Sequence, residues 1–192
     1  MTTQTAAPLR LNGFEVQAMT QTLDALTQDR TLARFEFRAA NEWLGGGMNR
    51  STIQGFFGAG AEDTSRTLPF NYTSGEPPVL LGKNESANPG EFLLHALAGC
   101  VTTTTVLFAA ARGITIRSMT SEVVGDIDLQ GLFGLDPAVP PGYRQIRMKL
   151  DIKADCSDAE LDDLIEFVHG HSPVCDTIRR PVPVVFERAK AK

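Results

Sequence analysis

A mixed fold of helices and strands is what this sequence predicts, and three observations carry the expectation. Residues 92–111 form a long apolar stretch, preceded by helix-start residues and followed by a glycine stop. Short apolar/polar alternations flank Gly45-Gly46-Gly47, the pattern of paired strands around a turn. Near the C-terminus, Ser157 and Glu160 stand three apart ahead of Leu161, Leu164, Ile165 and Val168, the signature of a capped amphipathic helix.

The elements follow in order. Residues 1–12 read as a loose tail, and Phe14, Ala18, Leu23 and Leu26 predict an accessory helix over 14–29. Residues 34–43 and 51–57 read as two hairpin strands across the glycine turn. Pro69, Pro77 and Pro78 punctuate a short strand and a loop. Asn88-Pro89-Gly90-Glu91 then supplies an N-cap, a proline at the first helical position and an acid at the third. That helix is expected to run to Arg112, with Gly113 as its left-handed stop. Residues 114–129 and 143–153 read as strands, separated by a loop over 131–142. The capped helix that follows is expected to end at Gly170, and a short one to start at Ser172-Pro173. Residues 182–187 read as a last, edge strand, because Pro183 has no N–H for a ladder. In domain terms, 1–33 is a tail with an accessory helix and 34–192 the main domain.

Composition narrows the function classes. The 192 residues are 42% hydrophobic and 21% charged, an ordinary globular balance. Eighteen Lys and Arg against 23 Asp and Glu leave a net charge of -5, and no basic stripe offers a footprint for nucleic acid. Three cysteines, an odd number, do not make a secreted disulfide framework, and the first residues lack the apolar core of a signal peptide. A reducing, cytoplasmic setting is the expectation. The stretch 92–111 has the length of a membrane span, but His95 and four consecutive threonines favour a helix buried in protein.

Several residues are candidates for chemistry. Cys100 lies in the middle of the apolar helix, too far from its N-terminus to feel the dipole. It is either a small packing residue or a nucleophile whose partner comes from another segment. Thr103 and Thr104 share its face and carry hydroxyls. Cys175, third in the helix begun by Pro173 and close to Arg179 and Arg180, has a setting that favours a thiolate; a packing role stands beside that reading. Cys156 reads as incidental. His169-Gly170-His171 with Cys175 hints at zinc, but glycine breaks the geometry and a second ligand pair is lacking. Asp126 and Asp128 share one face of a predicted strand, and Glu62 and Arg66 are spaced to pair. No cofactor or metal is expected.

Together these segments resemble the OsmC/Ohr family, the osmotically inducible protein C and organic hydroperoxide resistance proteins. The resemblance rests on residues 88–100, on Gly113-Ile114, Gly125 to Asp128, Ser172-Pro173-Val174 and Pro181 to Val184. Trp43, Gly58-Ala59-Gly60, residues 66–70 and residues 77–82 resemble a longer OsmC-like subgroup. The resemblance implies an α+β fold in which two protomers intertwine, two central helices packing against curved antiparallel sheets. It also implies thiol-dependent reduction of hydrophobic organic hydroperoxides: a thiolate becomes a sulfenic acid, a second cysteine captures it, and an external dithiol restores both.

The chain departs from the peroxidase pattern at three positions. Gly90 follows Asn-Pro where those members have Glu, and Glu91 comes one residue later. Leu80-Leu81 stands where their arginine lies. Ser172 takes the place of the second cysteine. Cys100 is thus the residue that matches directly. Cys175 is the expected displaced partner, Arg66 or Arg50 the expected substitute cation, and Glu91 the displaced acid. The expected partners are a second copy of the chain, a small hydroperoxide and a dithiol, with no nucleic acid and no membrane. The rival expectation is a non-catalytic dimer that binds a small apolar ligand; a metal-dependent hydrolase using Asp126, Asp128 and the histidines stands third.

Overall fold

The computed structural model describes residues 10–189; most of the expected tail, residues 1–9, lies outside them. It has the mixed α+β character expected, with antiparallel sheets and five α-helices among the described residues. The chain divides into two compact units, Met1–His95 and Ala96–Lys192.

In the first unit, β1 (Arg10–Leu11) and β2 (Phe14–Glu15) pair across Asn12 and Gly13, whose φ angles are 51° and 87°. The tail expectation is corrected here: positive φ at Asn and Gly makes a tight hairpin turn. The accessory helix is α1 (Val16–Gln28). The expected hairpin is present but broken in two. Its outer parts are β3 (Glu36–Phe37) and β6 (Phe56–Gly58), and its inner parts β4 (Ala40–Gly45) and β5 (Met48–Ile53). Glycines 45 and 46 take φ of 118° and 55° at the turn, and Trp43 Nε1 donates to the Gly46 carbonyl at 2.9 Å. Two three-stranded antiparallel sheets result. β7 (Ala61–Asp63) completes β3-β6-β7, and β8 (Phe70–Ser74) completes β4-β5-β8.

Helix α2 (Pro89–Ala111) starts as the sequence expects. Asn88 Oδ1 accepts from the Glu91 N–H at 2.8 Å, and Glu91 Oε2 accepts from the Asn88 N–H at 2.8 Å, a reciprocal cap. At the other end Gly113 has φ 75°, its N–H donates to Ala110, and the Ile114 N–H donates to Ala109. This is the Schellman closure that only an unhindered residue permits. Helix α2 is long and apolar enough to cross a membrane, and 28% of its most apolar window is buried.

The second unit holds the core. Strands β9 (Ile116–Asp126) and β10 (Gln145–Ala154) pair antiparallel along their length, from Gln145 opposite Asp126 to Ala154 opposite Ile116. β10 alternates exposed and half-buried residues, so Ile146, Met148 and Leu150 share one face. That face packs on a buried cluster of Leu97, Val101, Ala109, Ile114, Leu164 and Val168. Helix α4 (Asp158–His171) supplies Leu164 and Val168, and its Ser157–Glu160 capping box forms as expected. Phe167 seals the contact with α2: Phe108 meets it edge-on at 4.7 Å, His171 stacks on it at 3.8 Å, and the Arg112 guanidinium lies 4.8 Å from its ring.

Three local expectations are corrected in this unit. Helix α4 continues through Gly170 to His171, because His171 stacks on Phe167 and bonds the Phe167 carbonyl at 2.7 Å. Those contacts outweigh the helix cost of one glycine, about 1 kcal/mol. A short helix α3 (Leu129–Leu132) occupies the end of the expected strand, since Asp128 caps it by accepting from the Gln130 N–H. Residues 182–187 form no strand: no described strand pairs with them, Pro181 and Pro183 donate nothing, and Phe186 is 93% exposed.

Candidate active site

Cys100 sits on α2 about three turns beyond its capped start, half-buried. Its sulfur is met from α5 (Pro173–Arg179) and the residue that precedes it. The Ser172 hydroxyl donates to Cys100 Sγ at 3.2 Å, and the Val174 N–H donates to the same atom at 3.5 Å. Ser172 has no exposed surface, so its hydroxyl is held in place by packing. Two donors thus converge on one sulfur, a geometry in which a thiolate formed there would accept both hydrogen bonds. Pro173 leaves the Val174 amide free for this task, because an N-terminal amide has no partner within its own helix.

Of the two threonines expected to serve Cys100, Thr103 is engaged differently. The Thr103 hydroxyl donates to the Gly99 carbonyl and that of Thr105 to the Val101 carbonyl, as mid-helix threonines commonly do. Ser172 stands where the resemblance puts a second cysteine, and that substitution is the sequence signal for this contact. The Val174 amide carried no side-chain signal at all.

Cys175 is also in the second unit and is a free thiol, as are Cys100 and Cys156. It packs against the core cluster and lines a cavity of about 420 Å³. Leu97, Val101, Ile146, Met148, Leu150 and Ile178 give that cavity apolar walls, with Glu166, His169 and Arg179 as polar lining. Arg179 donates to the His169 carbonyl at 3.1 Å, and Arg180 pairs with Asp176 at 2.5 Å. The Cys156 thiol is held above the ordinary cysteine value by desolvation first, then by the carboxylates of Glu160, Asp158 and Asp155, which suits an incidental role.

Arg66, Arg50 and Glu91 belong to the first unit. Arg66 donates to the Gln54 carbonyl at 3.0 Å and lies over the rings of Phe56 and Phe70, at 5.0 and 5.4 Å. The expected Glu62–Arg66 pair is absent. Glu62 binds Arg38 through two hydrogen bonds of 3.0 and 2.8 Å, because β3 and β7 flank β6 in one sheet while Arg66 has its own carbonyl and ring partners. Arg50 pairs with Glu42 across the β4–β5 hairpin at 3.2 Å. The Glu91 carboxylate is taken up by the α2 cap.

Nor do Asp126 and Asp128 act together. Asp126 pairs with Arg147 across β9–β10, while Asp128 lies beyond the strand and caps α3. Among the described residues no group of three His, Cys, Asp or Glu side chains is placed to hold a metal.

Comparison with known proteins supports the fold. An OsmC-like protein from Mycoplasma pneumoniae shares the fold, at 22% identity and a TM-score of 0.57, over 75% of this chain and 87% of that one. An OsmC-like protein of unknown function from Vibrio cholerae matches at 12% identity and TM-score 0.52, over 74% and 92%. An organic hydroperoxide resistance protein OsmC from Legionella pneumophila matches at 18% identity and TM-score 0.50, over 74% and 90%. No curated protein matches the sequence. The OsmC-like protein family model matches residues 82–187, more than half of the chain, and that span contains α2, the hairpin, Cys100 and the Ser172 and Val174 donors that meet it. On that match the chain belongs to the OsmC-like protein family.

Proposed function

We propose that this protein reduces organic hydroperoxides in defence against peroxide stress, with Cys100 as the attacking thiolate. The observation that carries the reading is the pair of hydrogen bonds from Ser172 and Val174 to Cys100 Sγ. The thiolate is the form that attacks, and both of these groups can donate to it. Family membership and the likeness to a hydroperoxide resistance protein support the choice of substrate. The Cys100 sulfur attacks the outer peroxide oxygen, the O–O bond breaks, and the departing alkoxide takes a proton to leave as the alcohol. Cys100 is left as a sulfenic acid, which a thiol returns to the starting state. The working unit is a homodimer: the apolar surface of α2 and of the first-unit strands calls for cover that a second copy provides. Light scattering at micromolar concentration is expected to give twice the chain mass.

Purified protein with cumene hydroperoxide and dithiothreitol tests the activity. Peroxide loss well above that of the Cys100→Ser variant is expected, and equal rates remove the enzyme reading. The cavity beside Cys175 favours a second reading, a binding protein for a small apolar ligand. Ligand binding that survives Cys100→Ser without any peroxide turnover would select it.

A further inference from the structure

A sulfenic acid at Cys100 needs a thiol to resolve it, and among the described residues the groups that hydrogen-bond the Cys100 sulfur offer none. They are the Ser172 hydroxyl and the Val174 amide. Ser172 is fully buried, so its hydroxyl is fixed in the space beside the sulfur. The Cys175 thiol follows one helical turn after Ser172 and lines the apolar cavity, packed with the core cluster. Cys100 itself is half-buried and retains exposure. We propose that Cys100 works as a single-cysteine centre, held by Ser172 and resolved by a thiol from solution through a mixed disulfide on Cys100. This rests on the peroxide-reducing reading above and deepens it by naming the class of the second substrate.

The cycle balances. Cys100 is oxidised by two electrons as the hydroperoxide becomes an alcohol. An external thiol attacks the sulfenic sulfur, an S–S bond forms, and the hydroxyl leaves with the thiol proton as water. A second external thiol attacks the mixed disulfide at the external sulfur, releasing the Cys100 thiolate and a small disulfide. One hydroperoxide and two thiols give one alcohol, one water and one disulfide. Ser172 loses nothing in the cycle: its hydroxyl donates to whichever sulfur form is present.

Ser172→Cys converts the same contact into an internal trap. Its sulfur replaces an oxygen 3.2 Å from Cys100 Sγ, and a shift of about 1 Å reaches the length of a disulfide.

The experiment adds one equivalent of cumene hydroperoxide to the reduced full-length protein, then one equivalent of 2-mercaptoethanol, so that no second thiol remains to release the mixed disulfide and it accumulates. Peptides are mapped by mass spectrometry, with dimedone as a trap for sulfenic acid. The natural sequence is expected to show dimedone at Cys100 in a sample trapped before the thiol is added, and mercaptoethanol at Cys100 in a parallel sample without dimedone, with no Cys100–Cys175 link in either. Ser172→Cys is expected to lose two hydrogens, link Cys100 to the introduced thiol and give at least tenfold less mixed disulfide. Ser172→Ala is expected to slow oxidation about tenfold, the rate equivalent of one hydrogen bond to a charged sulfur, and still yield the mixed disulfide. A Cys100–Cys175 disulfide in the natural sequence overturns this proposal and leaves the peroxidase reading standing. No oxygen arriving at Cys100 overturns both. An unlinked Ser172→Cys protein, or an unchanged rate in Ser172→Ala, overturns the role of Ser172.

Discussion

The two units of this chain are stabilised in different ways. The second has a core: Leu164 is wholly buried, Val168 is 2% exposed, and α2, α4 and the β9–β10 hairpin all contribute to the same cluster. In the first, no large apolar side chain among the described residues is buried, while Phe37 is 72% and Trp43 76% exposed. Its strands are held by backbone ladders, two of which join strands not adjacent in sequence, and its aromatic contacts, such as Phe37 on Phe56 at 5.6 Å, lie on an open sheet face. Backbone ladders form wherever turns bring strands together, but a ladder alone does not remove apolar area from water, which is the main driving term. The cysteine geometry is in the unit with the core, where packing can fix a hydroxyl against a sulfur.

Substitutions can break or sharpen this contrast. Leu164→Ala is expected to cost about 2–5 kcal/mol, the range for emptying a packed site, whereas Phe37→Ala is expected to cost less than about 1 kcal/mol. Urea unfolding of both variants at one low protein concentration checks this. Equal losses would mean that the first unit is as well packed as the second.

Phe167→Ala comes next, at about 2–3 kcal/mol, because it removes the ring on which Phe108, His171 and the Arg112 cation all converge. Thermal melts should show the drop, with a fall in α4 helicity by circular dichroism. The two capping boxes give a matched pair across the units. Asn88→Ala and Ser157→Ala each remove one side-chain acceptor from a helix start and are each expected to cost about 1 kcal/mol. A large loss from one alone would show that its helix end carries tertiary load.

The smallest effect is that of acid. Arg38 holds the Glu62 carboxyl below the usual carboxylate range in the first unit, and Arg147 and Arg117 do the same for Asp126 and Asp155 in the second. Each carboxyl binds its proton less readily folded than unfolded. Its stabilising share is therefore complete above the ordinary carboxylate range and is lost as pH falls through the depressed folded values. These groups are exposed, so the midpoint of urea unfolding should hardly move between pH 7 and 5 and should fall only below about pH 4.

Local signals were read well because their causes are local. Asn88 with Glu91, Ser157 with Glu160, and Gly113 after Arg112 satisfy backbone groups three to five residues away, so the sequence itself determines α2 and α4. The alternation along 145–154 fixes one apolar face of a strand for the same reason. Family resemblance, carried by residues 88–100 and 172–174, was legible too. What local pattern could not supply was the choice of partner. Arg66 sat four residues from Glu62, yet the sheet order gave Glu62 to Arg38. Asp128 looked like strand and became a cap, and residues 182–187 had a strand's composition without a neighbour to pair with. The contact most relevant to function, Ser172 to Cys100, joins residues 72 apart. Tertiary structure decided it, because only the docking of α5 against α2 brings that hydroxyl to the sulfur, and no periodicity in the sequence encodes such a distance.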